Sequence, residues 1–206
     1  MATLVLATRN ECKVKEITEI LSELKLEIRS LLDYPELPDV VEDGLTFEEN
    51  ALKKARTVFE YTTLPTLSDD SGLEVFELGM KPGVRSARYA GEPTNYHNNN
   101  QKLVKELRNI PDDHRRAQFR CVVVFKTKEF EKIKEGICGG KIIHESKGVG
   151  GFGYDPLFMP DGSNQTFAEI NSASKNAISH RGKALLDIRE TLDKYFRCNI
   201  SVKSVT

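Results

Sequence analysis

The run Leu4-Val5-Leu6-Ala7 has no polar face. A strand with that pattern must be covered on both sides, which in a soluble chain means a sheet held between helices. The next residues supply the first cover. Val14, Ile17, Leu21 and Leu24 recur three or four apart on one helical face, and Leu26-Glu27-Ile28 then alternates like a second strand. The chain therefore opens as a strand–helix–strand unit with a parallel pair, and its class is α/β.

The remainder extends this pattern. Residues 33 to 45 carry Pro35, Pro38 and Gly44 and read as a loop. A helix is expected from about Thr46 to Tyr61, with Phe47, Ala51, Ala55 and Val58 inward and Thr46 with Glu49 at capping-box spacing. Pro65 to Phe76 reads as one or two strands with a kink at Ser71-Gly72, and residues 79 to 93 as a Gly- and Pro-rich loop. Leu103, Val104 and Leu107 predict a helix over 94 to 109, and Ala117 to Lys126 is the strongest strand pattern. Residues 131 to 146 form a further strand or hairpin broken at Gly139-Gly140. A glycine-rich loop and a Pro160-Asp161-Gly162 turn follow, and the last helix starts near Ser179 with Leu185, Ile188, Leu192 and Phe196 on one face. No linker, repeat or charge run divides the chain, so one domain over 1–206 is the simplest arrangement.

Lys plus Arg number 30 and Asp plus Glu 31, a net charge of −1. That lacks the basic excess of a dedicated duplex-DNA or anionic-membrane binder. No window approaches the roughly 20 apolar residues of a membrane span, and the first apolar run is too short for a signal peptide. Cys12, Cys121, Cys138 and Cys198 form no C-x-x-C pair, and the histidines have no H-x-x-x-H spacing. The expectation is a cytoplasmic protein in a reducing compartment, with no nucleic-acid or membrane partner.

Five stretches carry residues suited to chemistry. Thr8, Asn10 and Lys13 sit where a buried strand hands over to a helix, whose free N–H groups favour anions. Asn10 suits the N-cap, and Lys13 is then a cation at the positive end of the dipole, costing about 0.3–1 kcal/mol unless an anion compensates. Phosphate binding and a merely capped helix with a solvated lysine both fit. Asp69-Asp70-Ser71-Gly72 ends a strand, so at most one of the two carboxylates faces a given site. One such carboxylate suits Mg²⁺ or water activation, although an Asp-rich turn with caps is the better default for the string alone. Glu42 and its acidic neighbours read first as a turn and helix start, or else as a second metal ligand.

Gly148 to Pro156 contains a G-x-G-x-x-G string, but Pro156 forbids the helix a dinucleotide fingerprint needs. What remains is a permissive loop displaying Phe152, Gly153, Tyr154 and Asp155, which either stacks on a base or turns tightly with Phe152 in the core. Lys175 precedes Ser179-His180-Arg181, which again places cations at a helix start. Two such conflicts point to a shared anionic or electron-rich ligand, whereas each alone is ordinary solvated charge. Arg85 and Arg88 are read as solvated loop residues and left outside the site.

Taken in order, these strings resemble the inosine triphosphate pyrophosphatase family, the Ham1-like non-standard purine nucleoside triphosphate pyrophosphatases. The matching pieces are T-x-N-x-x-K (Thr8, Asn10, Lys13), E-D-G-x-T-F-x-E-N-A (Glu42 to Ala51), D-D-S-G-L (Asp69 to Leu73) and P-G-V-R-S-A-R-Y-A-G (Pro82 to Gly91). G-G-F-G-Y-D-P (Gly150 to Pro156) and K-x-A-I-S-H-R-G-x-A-L (Lys175 to Leu185) complete them, and Val149 stands where family members often carry Thr. The resemblance runs from Leu4 to about Leu192.

The resemblance implies a mixed, strongly twisted central sheet flanked by helices, in two lobes with a central cleft. It implies Mg²⁺-dependent hydrolysis of ITP, dITP and XTP to the monophosphate and pyrophosphate by a homodimer. It assigns phosphate contacts to Thr8, Asn10 and Lys13, metal binding to Glu42 and Asp70, the base role to Asp70 and a substrate contact to Ser71. Phe152, Gly153, Tyr154, Asp155, Lys175, His180 and Arg181 would hold the base and adjoining groups. Donors at His180 and Arg181 would suit a 6-keto oxygen and leave an adenine amino group unmatched, about 1–3 kcal/mol or roughly 5- to 150-fold per contact. Two other readings use the same residues: a Maf-type pyrophosphatase of modified nucleotides, and a purine-nucleotide sensor that does not hydrolyse. The carboxylates Glu42 and Asp70 favour an enzyme, since a plain anion binder has no use for them.

Overall fold

The computed structural model describes residues 2–203. β1 (Thr3–Leu6), α1 (Glu11–Ile20) and β2 (Glu27–Ser30) make the expected opening unit. β1 pairs in parallel with β2, Thr3 opposite Glu27, and in parallel with β3 (Thr66–Val75) on its other side. Past β3 the sheet turns antiparallel through β5 (Arg116–Lys126), β6 (Glu131–Ile142) and β7 (Phe158–Pro160). The order is β2-β1-β3-β5-β6-β7, with the short β4 (Lys81–Pro82) also paired to β3. The sheet is thus mixed, and helices cover both of its faces.

Alternation along β3 and β5 separates two layers. Leu67, Cys121, Val123 and Phe125 pack with Ile17 of α1 and with Leu185, Ile188 and Leu192 of α5 (His180–Lys203). Val122 and Val124 pack with Phe47, Ala51 and Ala55 of α2 (Phe47–Thr62). Burying each such Val, Leu or Phe is worth about 1.5–3 kcal/mol. Asp69 pairs with Val123 and Asp70 with Val122, so Asp69 faces the α1/α5 layer and Asp70 faces α2. A one-residue slip of β3 would exchange the two carboxylates between the layers and move Leu67 out of the α1/α5 core, which the packing forbids.

The far halves of β3, β5 and β6 enter a second core. There Leu73, Val75, Phe119 and Ile142 meet Leu103 and Leu107 at α3 (Tyr96–Glu106), together with Tyr154, Phe158 and Phe167. The three long strands cross from one core to the other, and the cleft lies where they cross.

Two expected interruptions are absent. β3 runs without a kink through Ser71 and Gly72, which pair with Cys121 and Arg120. A Cβ on Gly72 would lie 2.4 Å from both the Gly83 carbonyl oxygen and Ser86 Oγ, so this glycine admits a crossing segment instead of bending the strand. β6 likewise continues through Gly139-Gly140, because a Cβ at Gly140 would strike the Met159 carbonyl oxygen of β7 at 2.4 Å. A short helix not expected from the sequence, α4 (Ser172–Ile178), precedes α5, and its N-cap Asn171 accepts from the Ser174 N–H at 2.8 Å.

Candidate active site

One end of the site is built from the β1–α1 junction. The Asn10 side chain accepts from the Lys13 N–H at 3.2 Å, and Thr8 Oγ1 accepts from the Asn10 N–H at 3.1 Å. Arg9 points elsewhere and ties the junction to the next loop through the Leu31 carbonyl (2.6 Å) and Asp39 (2.8 Å). The cation at the positive helix end finds its counterion inside the protein: Lys13 Nζ lies 3.1 Å from Asp69 Oδ2.

Asp70 lies on the opposite face of β3. The capping box at Thr46 and Glu49 fixes the start of α2, which aligns Asn50 and Lys54, four residues apart, on the turn surface that meets β3. Asn50 Nδ2 donates to Asp70 Oδ2 at 3.0 Å, while Asn50 Oδ1 accepts from the Gly44 N–H at 2.8 Å and so holds the loop that carries Glu42. Lys54 Nζ donates to Glu42 Oε1 at 2.7 Å and lies 3.7 Å from Asp70 Oδ1. One buried lysine therefore bridges the two carboxylates. Burial raises the Asp70 pKa, Lys54 and Lys13 pull it back, and Glu42 adds to the rise, leaving it above the ordinary value. Burial also opposes the charge on Lys54, but Asp70, Glu42 and Asp69 outweigh it and hold the ammonium protonated.

The other end is aromatic. His180 stacks on Phe119 with centroids 4.6 Å apart and planes at 11°. Burial, with Arg181 and Lys175 nearby, drives the His180 pKa well down, so the imidazole is neutral. It is not the cation the helix start implied, and its Nδ1 is buried without a partner among the described residues. Asp155 Oδ2 accepts from the Phe152 N–H at 2.8 Å and from Lys175 Nζ at 2.6 Å, which shapes the Phe152–Asp155 loop. Tyr154 donates its hydroxyl proton to the Ser86 carbonyl at 2.8 Å and is otherwise core.

Arg181 is wholly buried and held by Asp69 Oδ2 (3.0 and 3.2 Å), Ser71 Oγ (2.9 Å) and Glu16. A guanidinium has five N–H donors, so these four bonds leave one N–H without a partner among the described residues. Burial opposes its charge, but Asp69 and Glu16 more than compensate and raise its pKa. Reciprocally, Lys13, Arg181 and Lys54 hold the buried Asp69 carboxyl far below the usual range despite the desolvation that opposes them. The shared anion of the two misplaced cations is thus first of all Asp69.

Thr8, Asn10, Lys13, Glu42, Asp70 and Ser71 line one cleft together with Phe152, Gly153, Tyr154, Asp155, His180 and Arg181. Lys175 stands behind its wall, paired with Asp155 and Glu16. Lys54, Tyr96 and Phe119 also line the cleft and were not singled out in the sequence. Lys54 had a readable signal, a lysine within the stripe of Ala51, Ala55 and Val58. Tyr96 and Phe119 had none, because aromatic residues in a polar helix and a strong strand are ordinary.

The sequence model described as the Ham1 family matches residues 4–191. The chain is 48% identical to the dITP/XTP pyrophosphatase of Desulforamulus reducens, over 94% of this chain and 96% of that protein. It is 47% identical to that of Geobacter sulfurreducens, over 93% and 97%. A solved HAM1 protein from Coxiella burnetii superposes with a TM-score of 0.85 at 39% identity, covering 94% of this chain and 100% of that one. The Staphylococcus aureus Ham1 protein gives 0.83 at 34%, covering 94% and 99%.

Proposed function

The chain belongs to the Ham1 family, and we propose that it hydrolyses non-standard purine nucleoside triphosphates (ITP, dITP and XTP) to the monophosphate and pyrophosphate. Asp70 carries this reading. It is a cleft carboxylate with a raised pKa, set beside Lys54 and Glu42 at one end of a pocket whose other end is aromatic. Curated relatives bear the name dITP/XTP pyrophosphatase, and the donors fit that substrate class.

In this reading the triphosphate tail lies against Thr8, Asn10, the first N–H groups of α1, Lys13 and Lys54. About four negative charges need such countercharge. Glu42 and Asp70 present hard carboxylate oxygens, the donor type Mg²⁺ takes alongside substrate phosphates and water. Bound there, the ion would neutralise phosphate charge and acidify a neighbouring water. Asp70 takes a proton from the attacking water. The water oxygen bonds to the α-phosphorus, the α–β bridging P–O bond breaks, and pyrophosphate leaves with that oxygen. Ser71, held by Arg181, contacts the substrate near this centre. Phe152 and the neutral His180 on Phe119 cover the base, with the remaining Arg181 N–H as a donor to a 6-keto oxygen. Lys175 acts from behind by fixing Asp155 and hence the Phe152–Asp155 loop.

We also read residues 1–206 as one catalytic domain working as a homodimer in the cytoplasm. Among the described residues no helix is long and apolar enough to cross a membrane, and all four cysteines are unpaired. A nucleotide panel with Mg²⁺ tests the activity. ITP, dITP and XTP should yield pyrophosphate and the monophosphate. Orthophosphate release, preference for modified pyrimidines as in a Maf-type enzyme, or unchanged nucleotide as in a sensor would each contradict it.

A further inference from the structure

Tyr96, the first residue of α3, lines the cleft. Its hydroxyl accepts a hydrogen bond from Asn10 Nδ2 at 3.2 Å, and its ring centroid lies 6.1 Å from that of Phe152. Tyr96 therefore stands between the start of α1, where phosphates are held, and the aromatic wall, where the base is held. In any nucleotide the sugar fills that interval. The ring is also rigidly placed. Buried Asn99 donates to the Ala87 carbonyl at 2.8 Å and accepts from the Ala90 N–H at 2.7 Å, and Asn100 donates to the Gly153 carbonyl at 3.0 Å.

A phenol carries one donor proton and acceptor lone pairs. The Asn10 bond uses a lone pair, and the hydroxyl proton has no acceptor among the described residues. We propose that Tyr96 is a sugar-contact residue, donating this proton to a sugar hydroxyl of the bound nucleoside triphosphate while its ring walls the sugar. This rests on the nucleotide reading above.

Tyr96→Phe, assayed on ITP and on its 2′,3′-dideoxy analogue, tests the contact. Losing one neutral hydrogen bond should raise KM for ITP roughly three- to tenfold with kcat nearly unchanged. With the dideoxy substrate, wild type and variant should coincide. An equal loss on both substrates would mean that the hydroxyl acts through Asn10 or through folding, and no loss on ITP would mean that it touches nothing; either overturns the proposal. Wild-type protein inert towards ITP would instead overturn the nucleotide reading.

Discussion

Asp69 and Asp70 are neighbours with opposite fates, because consecutive strand residues face opposite layers. Asp70 is the base in the proposed reaction, and its raised pKa has two consequences. Its ionised form is disfavoured by folding, so Asp70→Asn should raise the melting temperature by roughly 2–4 °C per kcal/mol relieved. The same change should cut kcat by about 10²–10⁴. Thermal melts and steady-state kinetics on one preparation check both, and an unstable or fully active variant contradicts the assignment. Asp69 behaves oppositely. Asp69→Asn leaves Lys13 and the buried Arg181 without their shared anion, a loss of about 3–5 kcal/mol. Chemical denaturation measures it, and a change under 1 kcal/mol would contradict the pairing.

At the scale of elements, β6 and α5 meet without clearance. A Cβ on Gly136 would lie 2.1 Å from the His180 carbonyl oxygen and 2.6 Å from the Ala184 nitrogen, both backbone atoms that cannot swing aside. Gly136→Ala should therefore shift the first turn of α5, lowering stability by about 1–3 kcal/mol and raising KM through His180 and Arg181. An unchanged melting curve and KM would contradict this packing. Such close approaches also mark where the sequence misled. Gly72, Gly139 and Gly140 look like strand breakers, yet they sit inside continuous strands because a neighbour needs the space of their missing side chains. Local pattern does not reveal which neighbour arrives. Where the signal was local, as at the β1–α1–β2 unit and the Thr46 cap, elements and cap agree with the pattern.

Across the whole molecule, the residues gathered from separate strings converge on one cleft, but their partners were hidden until the fold closed. Two cations at helix starts signalled an anion, and the chain itself supplies one in Asp69, with Glu16 bridging Lys175 and Arg181. Glu16 is also held below its ordinary pKa, since Arg181 and Lys175 outweigh the desolvation opposing its charge. For carboxyls lowered by folding, the native state binds fewer protons than the unfolded chain. The stability they give is present above the unfolded value and lost as pH falls through the folded one. Asp69 and Glu16 should thus make the melting temperature drop steeply below about pH 4, and Asp69→Asn should flatten that drop. Melts across pH check this, and an equally steep drop in the variant would contradict it. The proposed reaction turns on water attacking the α-phosphorus beside Asp70. Hydrolysis of ITP in water enriched in heavy oxygen tests it most directly: the label should appear in the monophosphate, and label in the pyrophosphate would contradict the mechanism.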